Sequence, residues 1–524
     1  MNTPLTVLGI IDGFGYNPQT EGNAIHAANT PTLDYLWSNY PHFLVKAAEE
    51  EVGLAFGEVG NSEVGHITIG TGRVIPQNLS LINKALEDRS FYQNNAFIQA
   101  LNYVKTNQTN LHIYGLISTA GVHGHLYHML GLMELAASHQ INPYLHLILD
   151  GRDSGPKDSP YYLKEIYNTI AKLKSSTIAS ITGRAYALDR NNNWERTQLA
   201  YQLLMGKSEY SFNNVDEAIQ YFYSQGLDDE NIPPTKINQP NQAQASIKNN
   251  EAIIFTNFRE DRARQITKAL ALPSFDKFER ATHPENLMVV TMTSYEKALP
   301  VTVAYPPPPI NNTLSDILSQ NEVPQIHIAE TEKYAHVTYF FNGGREAKRP
   351  MEEFFLVPSI KPEQFATNPQ MSAAGITKAV LDSINLGYKF IVFNFANTDM
   401  IGHTGQWDSV VKAVEIIDQQ FKLIWDAVSA QNGYLIITAD HGNCEQMVHP
   451  KTKAVIKKHT ISPVPVMIAN KQLVETGAIP QKVLTNVEIS GLLSDIAPTV
   501  LSLAGVTIPE EMTGTSLVEI PSAS

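Results

Sequence analysis

The stretch TVLGIIDGFG, Thr6 to Gly15, is an apolar, β-branched run closed by an aspartate and a glycine. Such a run, ended by turn residues, reads as a strand buried on both faces rather than one alternating between core and solvent. Seven further segments repeat the form: LHIYGLIS (111–118), LHLILD (145–150), TIASITG (177–183), AIIFTNF (252–258), NLMVVTMTSY (286–295), KFIVFNFAN (389–397) and GYLIITAD (433–440). Helical patterns separate them. Thr30 is a candidate N-cap, Pro31 suits a first turn, and Leu33, Leu36, Trp37 and Tyr40 fall on one helical face. Buried strands alternating with helices make α/β the expected fold class.

A chain of 524 residues exceeds what one core usually serves, so two or more domains are expected. Its 43% hydrophobic and 17% charged residues are those of an ordinary globular protein. No segment reaches the roughly 20 apolar residues of a membrane span. LTVLGII lacks a basic flank, the first lysine being Lys46, and reads as a strand rather than a signal peptide. The one cysteine, Cys444, excludes an intrachain disulfide and fits a cytoplasmic location; three residues beyond His441, it reads either as an unreactive small side chain, the favoured reading, or as an oxidation-sensitive thiol. A formal charge of −14 argues against nucleic acid and anionic membranes as partners, but leaves room for a small anionic substrate where basic residues cluster.

Two stretches punctuate the chain. AYPPPPINN (304–312) cannot be helix interior or central strand, and RVIPQN (73–78) is a weaker break. Taken as crossings, they define a domain of residues 76–307 inserted between 1–75 and 308–524.

Three expected strands end in or near a carboxylate: Asp12, Asp399 in FANTDMIGHTG and Asp440 in ITADHGN. Ligands of open α/β sheets collect at the carboxyl ends of strands. His403 follows Asp399 by four residues, His441 adjoins Asp440, and His459 in KKHTISPVP precedes another apolar run. Mixed imidazole and carboxylate sets suit Mn, Zn, Fe or Co better than Ca or Mg. Ser62 lies in FGEVGNSEVGHITIGTGR (56–73), where five glycines surround it, as if a metal or phosphate must approach the backbone closely. In NFREDRAR, which follows a strand and should open a helix, Arg259 and Arg262 share a face while Arg264 points away. Arginines so placed can grip carboxylate or phosphate with paired hydrogen bonds.

The motifs IDGFG, GNSEVGH, GVHGH, LDGRD, NFREDRARQIT, TEKYAHVTYFFNGG, NTDMIGHTG, TADHGN and HTISPVP occur in an order that resembles the cofactor-independent phosphoglycerate mutases, essentially over the full chain. The metal-site subset is similar to the wider alkaline phosphatase superfamily. The resemblance implies a discontinuous alkaline-phosphatase-like domain with an inserted transferase domain that binds substrate. It implies that Asp399, His403 and His459 hold one metal ion and that Asp12, Ser62, Asp440 and His441 hold the other. Both ions would be Mn2+, with no bisphosphoglycerate cofactor. Three carboxylates and a serine alkoxide carry −4, matching two divalent ions, and coordination activates a hydroxyl that is otherwise a poor nucleophile.

For the substrate, phosphoglycerate, the resemblance adds His123, Arg152, Asp153, Arg184 and Arg190 to Arg259 and Arg262, with Lys333 from the other domain. His125 and His128 lie close by, and only the family position selects His123. Ser62 would accept the phosphoryl group in interconverting 3-phosphoglycerate and 2-phosphoglycerate, a step of glycolysis, and the enzyme would be a monomer. Two departures stand out: STAGVHGH where SDGGVHSH is commoner, and Thr398 where a proline usually precedes DM. Rival readings are a hydrolase or phosphopentomutase of the same superfamily, separated by the His123 and arginine set, and a metal-stabilised protein without catalysis.

Overall fold

The computed structural model describes residues 3–238, 245–475 and 488–518. The chain divides into two compact units: residues 1–77 with 309–524, and residues 78–308. Each is built on an eight-stranded sheet with helices, so the fold is α/β.

In the discontinuous unit the sheet order is Glu352–Val357, Gln325–Glu330, Phe390–Phe395, Thr6–Ile11, Tyr434–Thr438, Val464–Ala469, His42–Lys46, Ile489–Leu492. Only Val464–Ala469 runs against its neighbours. Thr6–Ile11 is central and wholly buried, which is why its apolar run does not alternate. The long helix Trp407–Ala430 turns Val410, Val414, Ile417, Phe421, Ile424 and Val428 into this core, a three-to-four residue spacing.

That helix also corrects one local expectation. Thr30 does precede a helix, Pro31–Asn39, but its hydroxyl donates to Asp34 instead of capping. The free amides of Thr32 and Leu33 are taken by Asp418 from Trp407–Ala430, at 3.2 and 2.7 Å. A long-range carboxylate does the work assigned to the local hydroxyl.

In the continuous unit the order is Thr302–Tyr305, Met288–Thr293, Ala252–Phe255, Leu111–Ile117, Tyr144–Leu149, Thr177–Gly183, Thr235–Ile237, Tyr210–Phe212. The first six run parallel and the last two are reversed. All eight apolar segments read from the sequence are strands here or in the other sheet.

Candidate active site

Sheet order explains how residues far apart in sequence meet in the discontinuous unit. Gln325–Glu330, Phe390–Phe395, Thr6–Ile11 and Tyr434–Thr438 are adjacent and parallel, and just past their carboxyl ends stand Lys333, Asp399, Asp12 and Asp440. Val464–Ala469 is antiparallel, so the segment that enters it brings His459 to the same edge. Ser62 opens the helix Ser62–Thr71, whose N-cap Asn61 accepts from the Val64 amide at 3.0 Å. The glycines around it serve close approach. A Cβ on Gly65 would lie 2.4 Å from the Asp440 carbonyl oxygen, and one on Gly60 2.2 Å from that of Ala47. A side chain at either position would push Ser62 away from Asp440 and His441.

The resulting cluster is almost sealed: Asp12, Asp440 and His441 are fully buried, and Ser62, Lys333 and Asp399 nearly so. Ser62 Oγ lies 3.1 Å from Asp12 Oδ1 and 3.1 Å from His441 Nε2. Lys333 Nζ donates to Asp12 at 2.6 Å, Asp399 at 2.7 Å and Ser62 Oγ at 2.8 Å. Burial works against its ammonium, but Asp12, Asp399 and Asp440 outweigh burial and hold its pKa above the ordinary lysine value. Burial likewise disfavours a charged His441, and Asp440 and Asp12 overcome it, pushing the imidazole up to about 9. The whole cluster draws positive charge.

Donor chemistry tests whether metal ions fit. His403 Nδ1 faces the Lys457 carbonyl at 2.7 Å and His459 Nδ1 the Gly60 carbonyl at 2.8 Å. Carbonyls only accept, so both Nδ1 atoms carry hydrogen and a neutral ring offers its Nε2 lone pair. Those two Nε2 atoms lie 3.1 Å apart, and each is 3.1 Å from Asp399 Oδ1. Three acceptors turned on one another repel unless a cation joins them, which is the signature of a ligand set. Asp12, Asp399 and His441 likewise bring one atom each within 4.8 Å of one another, and the buried Asp440 Oδ2 has no hydrogen bond. The residues fit two divalent ions.

Several supporting residues have no counterpart in the sequence reading. His66 lies 2.8 Å from the Ser62 carbonyl and 3.2 Å from Asp440 Oδ2, bracing the turn that carries Ser62. Asn394 donates to Asp12 Oδ2 at 2.8 Å and Asn443 to Asp399 Oδ1 at 3.1 Å. Glu445 accepts from the Gly15 and Asn443 amides at 3.0 and 2.8 Å and from the Thr460 hydroxyl, tying together the segments that carry Asp12, His441 and His459. Asn394 left a signal, a lone amide inside the apolar run FIVFNF. Thr398 donates its hydroxyl to the Asp12 carbonyl. Cys444 is fully buried and its thiol is pushed up by burial, in keeping with an unreactive side chain.

The continuous unit builds a second cluster at its own sheet edge. Ala252–Phe255, Leu111–Ile117, Tyr144–Leu149 and Thr177–Gly183 are adjacent and parallel. Past their ends stand Arg259 to Arg262, His123, Arg152 with Asp153, and Arg184. Arg259 is the N-cap of Glu260–Ala271, while Arg264 turns to the Tyr295 carbonyl and Glu296. Arg184, 1% exposed, reaches Asp150 and Asp153 at 2.5 Å each, and Arg262 donates to the Leu188 carbonyl at 3.2 Å. Arg152, Arg190 and Arg259 are half exposed.

Asp261, absent from the sequence reading, is central here. It takes Arg190 at 2.6 Å and stands 3.5 Å from Arg259 and 3.3 Å from His123 Nδ1. The last two atoms are close but poorly aligned, and both are left without a hydrogen bond. Nε2 of His123 faces Asp153 at 3.9 Å. Burial, then the Arg184 charge, lowers His123 to about 4, so it is neutral at pH 7. Buried Arg184 Nε and Arg262 Nε are also unpartnered, as is the whole amide of Asn257. Unsatisfied buried guanidinium donors are costly, and they suit a site that awaits an anion.

Both clusters use residue types that other phosphate-handling proteins share, and comparison with known sequences separates the possibilities. Residues 82–297 match the family model described as the BPG-independent PGAM N-terminus. Proteins named 2,3-bisphosphoglycerate-independent phosphoglycerate mutase align over nearly their whole length. That of Legionella pneumophila strain Philadelphia 1 is 44% identical over 99% of this chain and 98% of its own. Those of Thermomicrobium roseum and Listeria monocytogenes are 42% and 40% identical over 99% of both chains. A crystal structure of Leishmania mexicana phosphoglycerate mutase at low cobalt concentration superposes with a TM-score of 0.65 at 29% identity, covering 99% of this chain and 98% of that one. With identity of this level sustained from end to end, the chain belongs to the 2,3-bisphosphoglycerate-independent phosphoglycerate mutase family.

Proposed function

We propose that this enzyme interconverts 3-phosphoglycerate and 2-phosphoglycerate through a phosphoserine at Ser62, as a cytoplasmic monomer serving glycolysis and gluconeogenesis. The observation that carries the reading is Ser62 Oγ held within 3.1 Å of Asp12 and His441 and 2.8 Å of Lys333.

Asp399, His403 and His459 would hold one ion and Asp12, Ser62, Asp440 and His441 the other, both Mn2+, with no bisphosphoglycerate required. When bound, the pair supplies Lewis acidity and lowers the serine hydroxyl's pKa. Ser62 Oγ attacks phosphorus in line; the bond from phosphorus to the C3 oxygen breaks, and that oxygen takes up the proton Ser62 has given up. Lys333 neutralises charge on the transferring oxygens. The arginines hold the glycerate: Arg184 and Arg262 as buried donors, Arg152, Arg190 and Arg259 at the exposed rim. His123 and Asp153 receive the proton of the C2 hydroxyl as it attacks the phosphoserine, the bond from phosphorus to Ser62 Oγ breaks, and that proton passes on to Ser62 Oγ, which restores the serine hydroxyl.

The experiment is 31P NMR of the Mn-loaded protein with 3-phosphoglycerate. The expected result is 2-phosphoglycerate with little inorganic phosphate. Sustained phosphate release without 2-phosphoglycerate identifies a hydrolase and overturns the reading.

A further inference from the structure

Asn257 stands in the polar cluster of the continuous unit without a task in the reaction as described. It follows the strand Ala252–Phe255 and is fully buried. The ladder runs on past the strand's end, where the Thr256 amide donates to the Tyr114 carbonyl at 3.0 Å. Side chains alternate along such a run. Thr256 Oγ1 occupies the place that a Cβ on Gly115 would take, so Asn257 falls on the opposite face, with Phe255, Leu116 and Ile148. The same face carries Ala187 and Leu188. Arg262 donates to the Leu188 carbonyl at 3.2 Å, and Asp150, two residues beyond Ile148, pairs with Arg184. Asn257 is thus set among the residues that end this face of the sheet in arginines.

Its backbone is fully engaged. The Tyr295 hydroxyl donates to the Asn257 carbonyl, and the next two amides, of Phe258 and Arg259, donate to the His123 carbonyl at 3.0 and 3.5 Å. Its side chain is not: Nδ2 and Oδ1 are both buried and neither has a hydrogen bond. A buried donor and acceptor left unsatisfied are costly, and leucine, of similar volume, would fill the same place without that cost. A group that enters the cluster and satisfies both atoms accounts for the amide.

The chemistry of that group follows from what its neighbours lack. Guanidinium groups only donate and carboxylates only accept, whereas a carboxamide does both along one edge. The complement of that edge is a pair of adjacent hydroxyls. We propose that Asn257 grips the vicinal diol of the glycerate that forms while the phosphoryl group is on Ser62, an inference that rests on the phosphoserine reading. Nδ2 donates to one hydroxyl oxygen and Oδ1 accepts from the other hydroxyl. Exchanging the two oxygens lets the same edge serve whichever hydroxyl is to attack. A phosphoglycerate has one free hydroxyl and meets half of the edge, so the grip is strongest on the intermediate that must not escape.

The test compares the Mn-loaded full chain with Asn257→Leu by calorimetric titration of glycerate, 3-hydroxypropionate and lactate of the same configuration, the last two each lacking one hydroxyl. The parent should prefer glycerate. Asn257→Leu should bind glycerate about 10-fold more weakly and the two analogues within about 3-fold of the parent. Asn257→Ala serves the same comparison if the leucine variant does not fold. A parent with no preference for glycerate overturns the proposal, as does a variant that keeps the preference or weakens all three ligands alike, the mark of a structural amide. The parent's 31P spectrum with 3-phosphoglycerate tests the mutase reading separately. Absence of 2-phosphoglycerate there overturns that reading and the proposal with it, whereas its presence beside an unchanged ligand preference in the variant overturns the proposal alone.

Discussion

The two units place their chemistry by one rule and with opposite sign. In each, four adjacent parallel strands deliver side chains at their carboxyl ends. The discontinuous unit collects three buried carboxylates, three histidines and Lys333 around Ser62, a set whose carboxylates draw positive charge. The continuous unit collects five arginines around His123 against Asp150, Asp153, Asp261 and Glu230, a set with an excess of positive charge. Burial differs as well. The carboxylate set is nearly sealed, while three of the five arginines are half exposed. Transfer of a phosphoryl group demands fixed geometry, whereas a glycerate that must present first one hydroxyl and then the other needs a grip with some play.

The sharpest way to break this division is Ser62→Ala. Turnover should fall by about 10⁴-fold or more, as loss of a nucleophile does, while calorimetric binding of phosphoglycerate survives through the arginines. If binding disappears as well, the two clusters do not have separate tasks. Gly65→Ala should come close in effect, since its Cβ would stand 2.4 Å from the Asp440 carbonyl oxygen. Activity should drop by on the order of 10²-fold or more, with weakened Mn binding by calorimetry, because misplacement of about 1 Å costs that much.

Within the arginine set the burial difference becomes a ranking. Arg262→Met should lower kcat/KM by on the order of 10²-fold, and Arg152→Met, 55% exposed at its side chain, by about 10-fold. Equal losses would mean that exposure does not report on grip. Asp261→Asn should cost about 10-fold in kcat, because Asp261 is the carboxylate nearest His123 Nδ1. His123 has a folded-state pKa of about 4, below the ordinary histidine value of 6.5. The unfolded chain therefore binds a proton that the native ring does not, and stability falls as pH drops from about 6.5 towards 4. Acid unfolding followed by the protection of residues 78–308 in hydrogen exchange reads this. No loss across that window breaks the assignment of a buried neutral ring.

What the sequence displayed follows from what was local. Apolar runs ending in Asp12, Asp399 and Asp440 carry strand and ligand in one stretch, and the expected strands are all present. His459 was marked only by the apolar run that follows it, and Lys333 carried no such mark; only the order of motifs pointed to it. Asp261 escaped because a search for anion binding looks for positive charge, and its role is to hold other groups. Asp418 at the start of Pro31–Asn39 escaped for a different reason: a cap from a distant helix leaves no local pattern. His66 and Glu445 stand behind the residues they brace, visible only once the chain is folded.

The smallest expected effect concerns Thr398. Its hydroxyl donates to the carbonyl of Asp12, and it lies in the first turn of Asn397–Gly402, ahead of Asp399. Thr398→Val removes the donor and leaves a buried carbonyl unsatisfied, so the Mn-loaded protein should lose about 1–2 kcal/mol in urea unfolding. Thr398→Pro removes the same donor, but the first helical turn accepts proline, and a stiffer unfolded chain returns roughly 0.4–1 kcal/mol. The proline variant should therefore be the more stable of the two, with turnover within about 3-fold of the parent. If valine is instead harmless, the hydroxyl contributes nothing to holding Asp12, and the strand end is kept in place by Asn394 and the packing of the central strand alone.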